Sequence, residues 1–131
     1  MELEYEEELR VNLTIEINGE PIPIDACVDT GFTGVADVRI PLAHMELATE
    51  LDSTTSTDSN GIDSIAWMTL EGRLTSINGQ EVNESLTTIF QDGDPLLGLP
   101  FLKKHILHLD GPSQIAILSL TNRNGTAEET N

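Results

Sequence analysis

The chain has 131 residues, and its 23 Asp and Glu residues against 6 Lys and Arg residues give a formal net charge of −17. That length supports one domain with a modest core, and a hydrophobic content of 38% is too high for a disordered acidic chain. The negative charge argues against binding nucleic acid, which needs a basic face, and against docking on an anionic membrane.

The acidic excess is not confined to the ends of the chain, since removing the first ten and last ten residues leaves 16 acids against 4 bases. We expect an acidic N-terminal segment (1–10), one domain (11–120) and a polar, frayed C-terminal tail (121–131). The N-terminus lacks the basic start and apolar run of a secretory signal, and no window reaches the roughly 18 apolar residues of a membrane-spanning helix. The single Cys27 has no partner for an internal disulfide. These features predict a cytoplasmic protein.

The first half of the domain begins with a predicted hairpin. Residues 11–17 alternate between apolar and polar side chains, which indicates a half-buried strand. Asn18-Gly19 follows, the strongest two-residue hairpin signal, and alternation resumes over residues 22–28. Pro21 and Pro23 place the start of this second strand at a sheet edge or just outside the ladder.

The remaining pattern predicts a mostly β domain with two short helices. A second Ile-Asn-Gly turn at 77–79 repeats the one at 17–19, which fits either a duplicated half-domain or two independent hairpins that use the same turn. The predicted elements are, in chain order, a turn at 29–34, a strand at 35–40, a short helix at 41–51, a polar loop or hairpin tip at 52–61, strands at 62–76 and 81–90, a short helix at 99–105, and strands at 105–110 and 114–120.

Asp29-Thr30-Gly31 is the motif with the clearest chemistry. Asp29 leaves a strand at the start of a turn, Gly31 permits a backbone shape that a Cβ would resist, and the Thr30 hydroxyl can brace the loop. A carboxylate held in this way can activate water if a second carboxylate shares its proton, because two close like charges cannot both ionise.

Other chemical groups in the sequence favour structural interpretations. His105 and His108 are three positions apart in a predicted strand and therefore face opposite sides, which argues against a metal pair. Cys27 lies on the same strand face as Asp29 in an acidic chain, so an inert buried thiol is favoured over a nucleophile. Residues 58–61 are similar to part of a calcium-binding loop, but Trp67 stands where such a loop needs a bidentate Glu, so the match fails. We expect no metal and no cofactor.

Three segments together resemble a known family. They are Ala-Cys-Val-Asp-Thr-Gly-Phe-Thr-Gly at 26–34, Asp-Pro-Leu-Leu-Gly-Leu-Pro-Phe-Leu at 94–102 and Ile-Leu-His-Leu-Asp at 106–110. In this order they resemble the retropepsin-like aspartic proteases of bacteria and archaea, over roughly residues 11–120. The resemblance implies a mostly β, closed antiparallel acid-protease half-domain with one or two short helices, in which each chain supplies one catalytic Asp.

The resemblance also implies roles for individual residues. Asp29 would be catalytic, Thr30 and Gly31 would form the active-site loop, and residues 96–98 (Leu-Leu-Gly) would pack beneath that loop. Residues around 53–65 would form a flap over the substrate. The residues implied to bind substrate are Phe32, Thr33, Ser59, Asn60 and Gly61.

The sequence contains only one Asp-Thr-Gly, and the second half carries Leu-Leu-Gly in its place. A pair of carboxylates therefore requires a second chain. The resulting hypothesis is a homodimeric aspartic endopeptidase that hydrolyses a peptide or protein substrate. The alternative is a catalytically weak or inactive protease-like domain that binds peptides or dimerises, which the polar, Gly-poor flap favours.

Overall fold

The computed structural model describes residues 1–3, 8–57, 60–110, 115–121 and 127–128. Strands dominate these residues, and the helices are short. The strands are β1 (Glu2–Leu3), β2 (Arg10–Ile17), β3 (Glu20–Asp29), β4 (Val38–Ile40), β5 (Asp52–Thr57), β6 (Asp63–Ile77), β7 (Gln80–Phe90), β8 (Leu96–Gly98), β9 (Ile106–Asp110), β10 (Ile115–Thr121) and β11 (Ala127–Glu128). The helices are a 3-10 helix at Leu42–Leu47 and α1 at Leu99–Leu102.

The larger sheet closes on itself. Its strand order is β2-β3-β8-β4-β7-β6-β5, and β2 also pairs with β6, so the first six strands form a closed ring and β5 extends from it. The β3–β8 and β4–β7 pairs are parallel, whereas the other pairs are antiparallel. The closed, mostly antiparallel β architecture is confirmed, and its two parallel pairings are β3–β8 and β4–β7.

Both Asn-Gly turns are as predicted. Asn18 and Gly19 have φ values of 52° and 81°, and Asn78 and Gly79 have 47° and 82°, the two consecutive left-handed positions that a tight hairpin requires. The apolar residues of β2 are buried and its polar residues are more exposed. Pro21 and Pro23 pair only with β2 in the described residues, so the start of β3 is an edge, as expected.

A smaller sheet contains both ends of the described chain. β10 pairs antiparallel with β1, β9 and β11. Met1 and Leu3 are buried in the main core, and the N-terminal ammonium group donates to the Leu118 carbonyl oxygen over 2.9 Å. Residues 121–131 were expected to be a frayed tail. Thr121 belongs to β10, and residues 127–128 pair with β10 as β11. The other residues of the tail lie outside the described ranges.

Several predicted bounds are wrong. The helix expected over 41–51 is only the 3-10 turn Leu42–Leu47, which buries no residue and gives way to extended backbone at Ala48. Residues 52–57, expected as loop or tip, are strand β5, because pairing with β6 satisfies their backbone despite their polar side chains. The helix expected over 99–105 ends at Leu102, after which Lys104 and His105 donate to carbonyls three residues earlier. The strand expected over 35–40 is confined to β4.

Two clusters of buried side chains lie on the sheets. The main core fills the closed sheet and includes Phe90, Phe101 and Leu97. A small second cluster joins Ala36, Ala66 and Ile89, with the Phe32 ring packed against it. Within the described ranges, neither helix has the length and apolar character that crossing a membrane demands.

Candidate active site

Asp29 is held at the end of a paired strand. It is the last residue of β3, half-buried, and its register partner is Gly98 in the parallel strand β8. The strand is fixed on both sides just before this point, because the Val28 N–H donates to Leu9 O over 2.7 Å and the Cys27 N–H donates to Pro95 O over 2.9 Å. The backbone that carries Asp29 is therefore rigid.

The turn after Asp29 orients its carboxylate. The Gly31 N–H donates to Asp29 Oδ1 over 2.8 Å, and the Phe32 N–H donates to Asp29 O over 3.2 Å. A Cβ at residue 31 would lie 3.1 Å from Asp29 Oδ1, a tight contact that would press on the carboxylate. Thr30 is exposed at the top of this turn.

The Leu-Leu-Gly strand lies beneath the turn. β8 is inserted between β3 and β4, with Leu97 opposite Val28 on one side and opposite Val38 on the other. The Leu99 N–H donates to Phe32 O over 3.0 Å. A Cβ at Gly98 would lie 2.5 Å from Phe32 Cδ2 and 2.9 Å from Phe32 O, so the turn rests directly on this glycine.

The β5–β6 hairpin stands over the same turn. It and residues 31–36 enclose a cavity of about 340 Å³. Phe32 and Thr33, two of the residues expected to bind substrate, line this cavity. Asn60 and Gly61 are exposed at the far end of the hairpin, and Ser59 lies outside the described residues. The other lining residues are Gly31, Gly34, Val35, Ala36, Thr54, Thr55, Thr57, Met68 and Ile89.

Comparison with solved structures identifies this arrangement. A retropepsin-like aspartic protease from Rickettsia conorii superposes with a TM-score of 0.54 at 20% sequence identity, over 88% of this chain and 95% of that one. The chain has a retropepsin-like fold. The retroviral protease-like domain of Ddi1 from Leishmania major also matches, with a TM-score of 0.42 at 17% identity over 93% of this chain and 94% of that one. No family model matches the sequence, and a search of curated proteins gives no significant match.

Sequence reasoning did not foresee every feature of this site. Thr54, Thr55 and Thr57 line the cavity from β5, within the stretch expected to be a flap but not expected to be a strand. Asp37 is a buried carboxylate, 3% exposed, directly before β4. The sequence shows only an acid between Ala36 and Val38 in a predicted strand. Acidic residues are usually exposed, so nothing in the sequence indicated that Asp37 is buried.

The other candidate groups lie apart from the site. The buried His105 ring bonds to Glu84 and to the Thr121 N–H, whereas His108 is exposed, so the two histidines do not converge. Burial, followed by the charge of Glu8, raises the pKa of the Cys27 thiol, which keeps it protonated. Among the residues described, His, Cys, Asp and Glu form no group of three that could hold a metal ion.

Proposed function

We propose that the protein is an aspartic endopeptidase that works as a homodimer, with the Asp29 carboxylates of two chains forming the catalytic pair. The observation that carries the proposal is the Asp29 carboxylate itself, held by the Gly31 N–H at the end of β3. The turn that follows it lines a cavity beside the β5–β6 hairpin, beginning at Gly31. The retropepsin-like fold supports it, because the fold and the motif are independent observations.

The reaction needs no group other than the two carboxylates and water. One Asp29 is ionised and takes a proton from water, whose oxygen attacks the peptide carbonyl carbon. The other Asp29 is protonated and gives its proton to the carbonyl oxygen, forming a tetrahedral diol. The first Asp29 then gives the proton it took from water to the peptide nitrogen, while the second Asp29 takes a proton from one diol hydroxyl. The C–N bond breaks, the amine leaves and a carboxylic acid remains. Each Asp29 carboxyl thus acts once as a base and once as an acid in the cleavage of one peptide bond.

A second chain supplies the partner carboxylate. Within the described part of the chain, the Gly31 N–H makes the only hydrogen bond to the Asp29 carboxylate, and the sequence holds one Asp-Thr-Gly. A two-fold axis that passes beside Asp29 would bring the same residue of both chains together.

The small sheet offers an apolar surface for this association. Ile106 and Ile117 are 54% and 41% exposed, and the β9–β10 register places them on one face. β9 is also an edge strand in the described residues, with an unpaired side open to another chain. Apolar side chains on an open edge strand favour burial in an assembly.

The cavity fits an extended peptide passing under the hairpin. All its lining residues are uncharged, in a chain where 22% of residues carry charge. We therefore assign substrate contacts to Phe32 and Thr33, which line the cavity. The family resemblance adds Ser59, Asn60 and Gly61, of which Asn60 and Gly61 are exposed at the hairpin end and Ser59 lies outside the described residues.

Replacing Asp29 by Asn tests the proposal. The variant keeps the shape of the side chain but holds no transferable proton, so we expect cleavage of a peptide library to fall by about a thousandfold or more. Asp25→Asn is the matched control, because Asp25 is on the same strand but is exposed and paired with Arg10 at 3.2 Å. Equal cleavage by Asp29→Asn and Asp25→Asn, or no cleavage by the native protein, would contradict the proposal.

A further inference from the structure

Asp37 is the one charged residue that the described part of the chain buries. Its Oδ2 accepts the Thr87 N–H over 2.8 Å, and its Oδ1 lies 3.2 Å from the Lys104 ammonium nitrogen. A carboxylate out of contact with water is costly unless it is paired and hydrogen-bonded, so both contacts are needed to keep Asp37 in place.

The backbone of Asp37 ends the active-site loop. Its N–H donates to Thr87 O over 2.8 Å, and its carbonyl accepts the Gly98 N–H over 2.8 Å. Gly98 pairs with Asp29 on its other side. Residues 30–36 therefore form a loop over Gly98 that is fixed at one end by Asp29 and at the other by Asp37.

Lys104 brings a third element to this point. It lies in the turn that follows α1, and its side chain is half exposed, so the ammonium group reaches the buried carboxylate from the solvent side. The ion pair joins the end of α1 to the end of the active-site loop, across 67 positions of sequence. Lys103, the preceding residue, is exposed and makes no ion pair within the described ranges.

We propose that the Asp37–Lys104 ion pair is a positioning device that fixes the loop of residues 30–36, whose Gly31 N–H orients the Asp29 carboxylate. This inference rests on the proposed function and extends it to the geometry of the carboxylate pair. Neither residue touches the substrate. Releasing the loop at Asp37 loosens the Gly98 and Leu99 hydrogen bonds beneath the turn, and the Asp29 carboxylate then loses its fixed position relative to its partner.

The test compares three lysine variants. Lys104→Gln removes the cation, and we expect kcat to fall by about tenfold with KM unchanged, since a displaced catalytic group costs rate more than substrate binding. Lys104→Arg keeps the cation and should retain native kcat. Lys103→Gln makes the same charge change one residue away and should also retain it. All rates are measured well below the melting temperature of each variant, so that only folded protein is compared.

A second readout does not depend on catalysis. Amide hydrogen exchange at Gly98 and Leu99 should become faster in Lys104→Gln and in Asp37→Asn, while exchange at Ile15 in the main core stays the same. If the native protein is active and Lys104→Gln has the same kcat, the positioning role is overturned and the proposed function is not. A native protein that cleaves nothing would overturn the proposed function, whatever the exchange rates show. Exchange that rises equally at Ile15 would indicate a general loss of stability and would also overturn the positioning role.

Discussion

Gly98→Ala is the substitution for which the structure gives the sharpest expectation. Gly98 has φ −100° and ψ 176°, a conformation that alanine adopts freely, so the backbone angles impose no penalty. The new methyl group would lie 2.5 Å from Phe32 Cδ2 and 2.9 Å from Phe32 O. The ring can turn away, but the carbonyl oxygen is backbone and is held by the Leu99 N–H at 3.0 Å.

The cost follows from this immovable contact. Overpacking a close-fitted site costs about 1 to 3 kcal/mol, and a clash with backbone places Gly98→Ala at the upper end, about 3 kcal/mol. For a chain of this length 1 kcal/mol corresponds to roughly 4 °C, so the melting temperature should fall by about 12 °C. Cleavage should fall as well, since the displaced Phe32 belongs to the turn that carries Asp29.

The assay is thermal unfolding followed by circular dichroism, with Gly19→Ala as control. At Gly19 a Cβ would meet nothing within 4 Å, and the cost comes only from the positive φ of 81°, about 1 kcal/mol. Gly98→Ala and Phe32→Ala together should cost less than the sum of the two single variants, because the clash with the ring disappears and the carbonyl contact remains. A Gly98→Ala variant no less stable than Gly19→Ala would refute the account of how the turn rests on β8.

Three further outcomes are expected. The Glu71 carboxylate accepts hydrogen bonds from the N–H groups of Glu50 and Thr49, and these bonds lower its pKa below the ordinary 4.5. The ionised carboxylate therefore stabilises the folded state at pH values above 4.5. This stabilisation is lost as the pH falls through the pKa of Glu71 in the folded protein. Urea midpoints of native protein and Glu71→Gln should therefore differ at neutral pH and converge in acid, and a constant difference would contradict this. The Thr88 hydroxyl is buried with no hydrogen-bond partner among the described residues, so Thr88→Val should raise stability in urea by about 1 kcal/mol. Each chain carries −17, so lowering the salt concentration should weaken the proposed dimer in sedimentation equilibrium. Association that does not depend on salt would argue against a close meeting of two acidic faces.

The local features of the fold could be predicted from sequence because neighbouring residues determine them. The alternation over 11–17 and the Asn18-Gly19 turn identify a hairpin without reference to the rest of the chain. β5 escaped prediction because its Asp, Ser and Thr residues lack an apolar face. It is a strand because β6 supplies a partner for its backbone.

Contacts between distant residues account for what local pattern could not show. Leu96–Gly98 is too short to be read as a strand, and its position between β3 and β4 depends on partners far away in sequence. Its place beneath the turn was expected from family resemblance alone. The burial of Asp37 likewise depends on Lys104, so an isolated acid before a short strand gave no warning of a buried ion pair.

The candidate site was predicted in part. Asp29 and Gly31 form the expected turn, and Phe32 and Thr33 line the cavity beside the β5–β6 hairpin. The threonines that line the cavity fall within the expected flap at 53–65, but their strand was not expected. The catalytic role of Asp29 and the substrate contacts of residues 59–61 stay predictions.

Mixing native chains with Asp29→Asn chains tests the central claim most directly. At constant total concentration and after subunit exchange, only dimers of two native chains hold two carboxylates, so activity should follow the square of the native fraction. An equal mixture should then show about one quarter of the activity of the native protein, as expected for a symmetric pair that shares one site. Activity of about one half, in linear proportion to the native fraction, would show that each chain works alone and would contradict an active site built from two Asp29 residues.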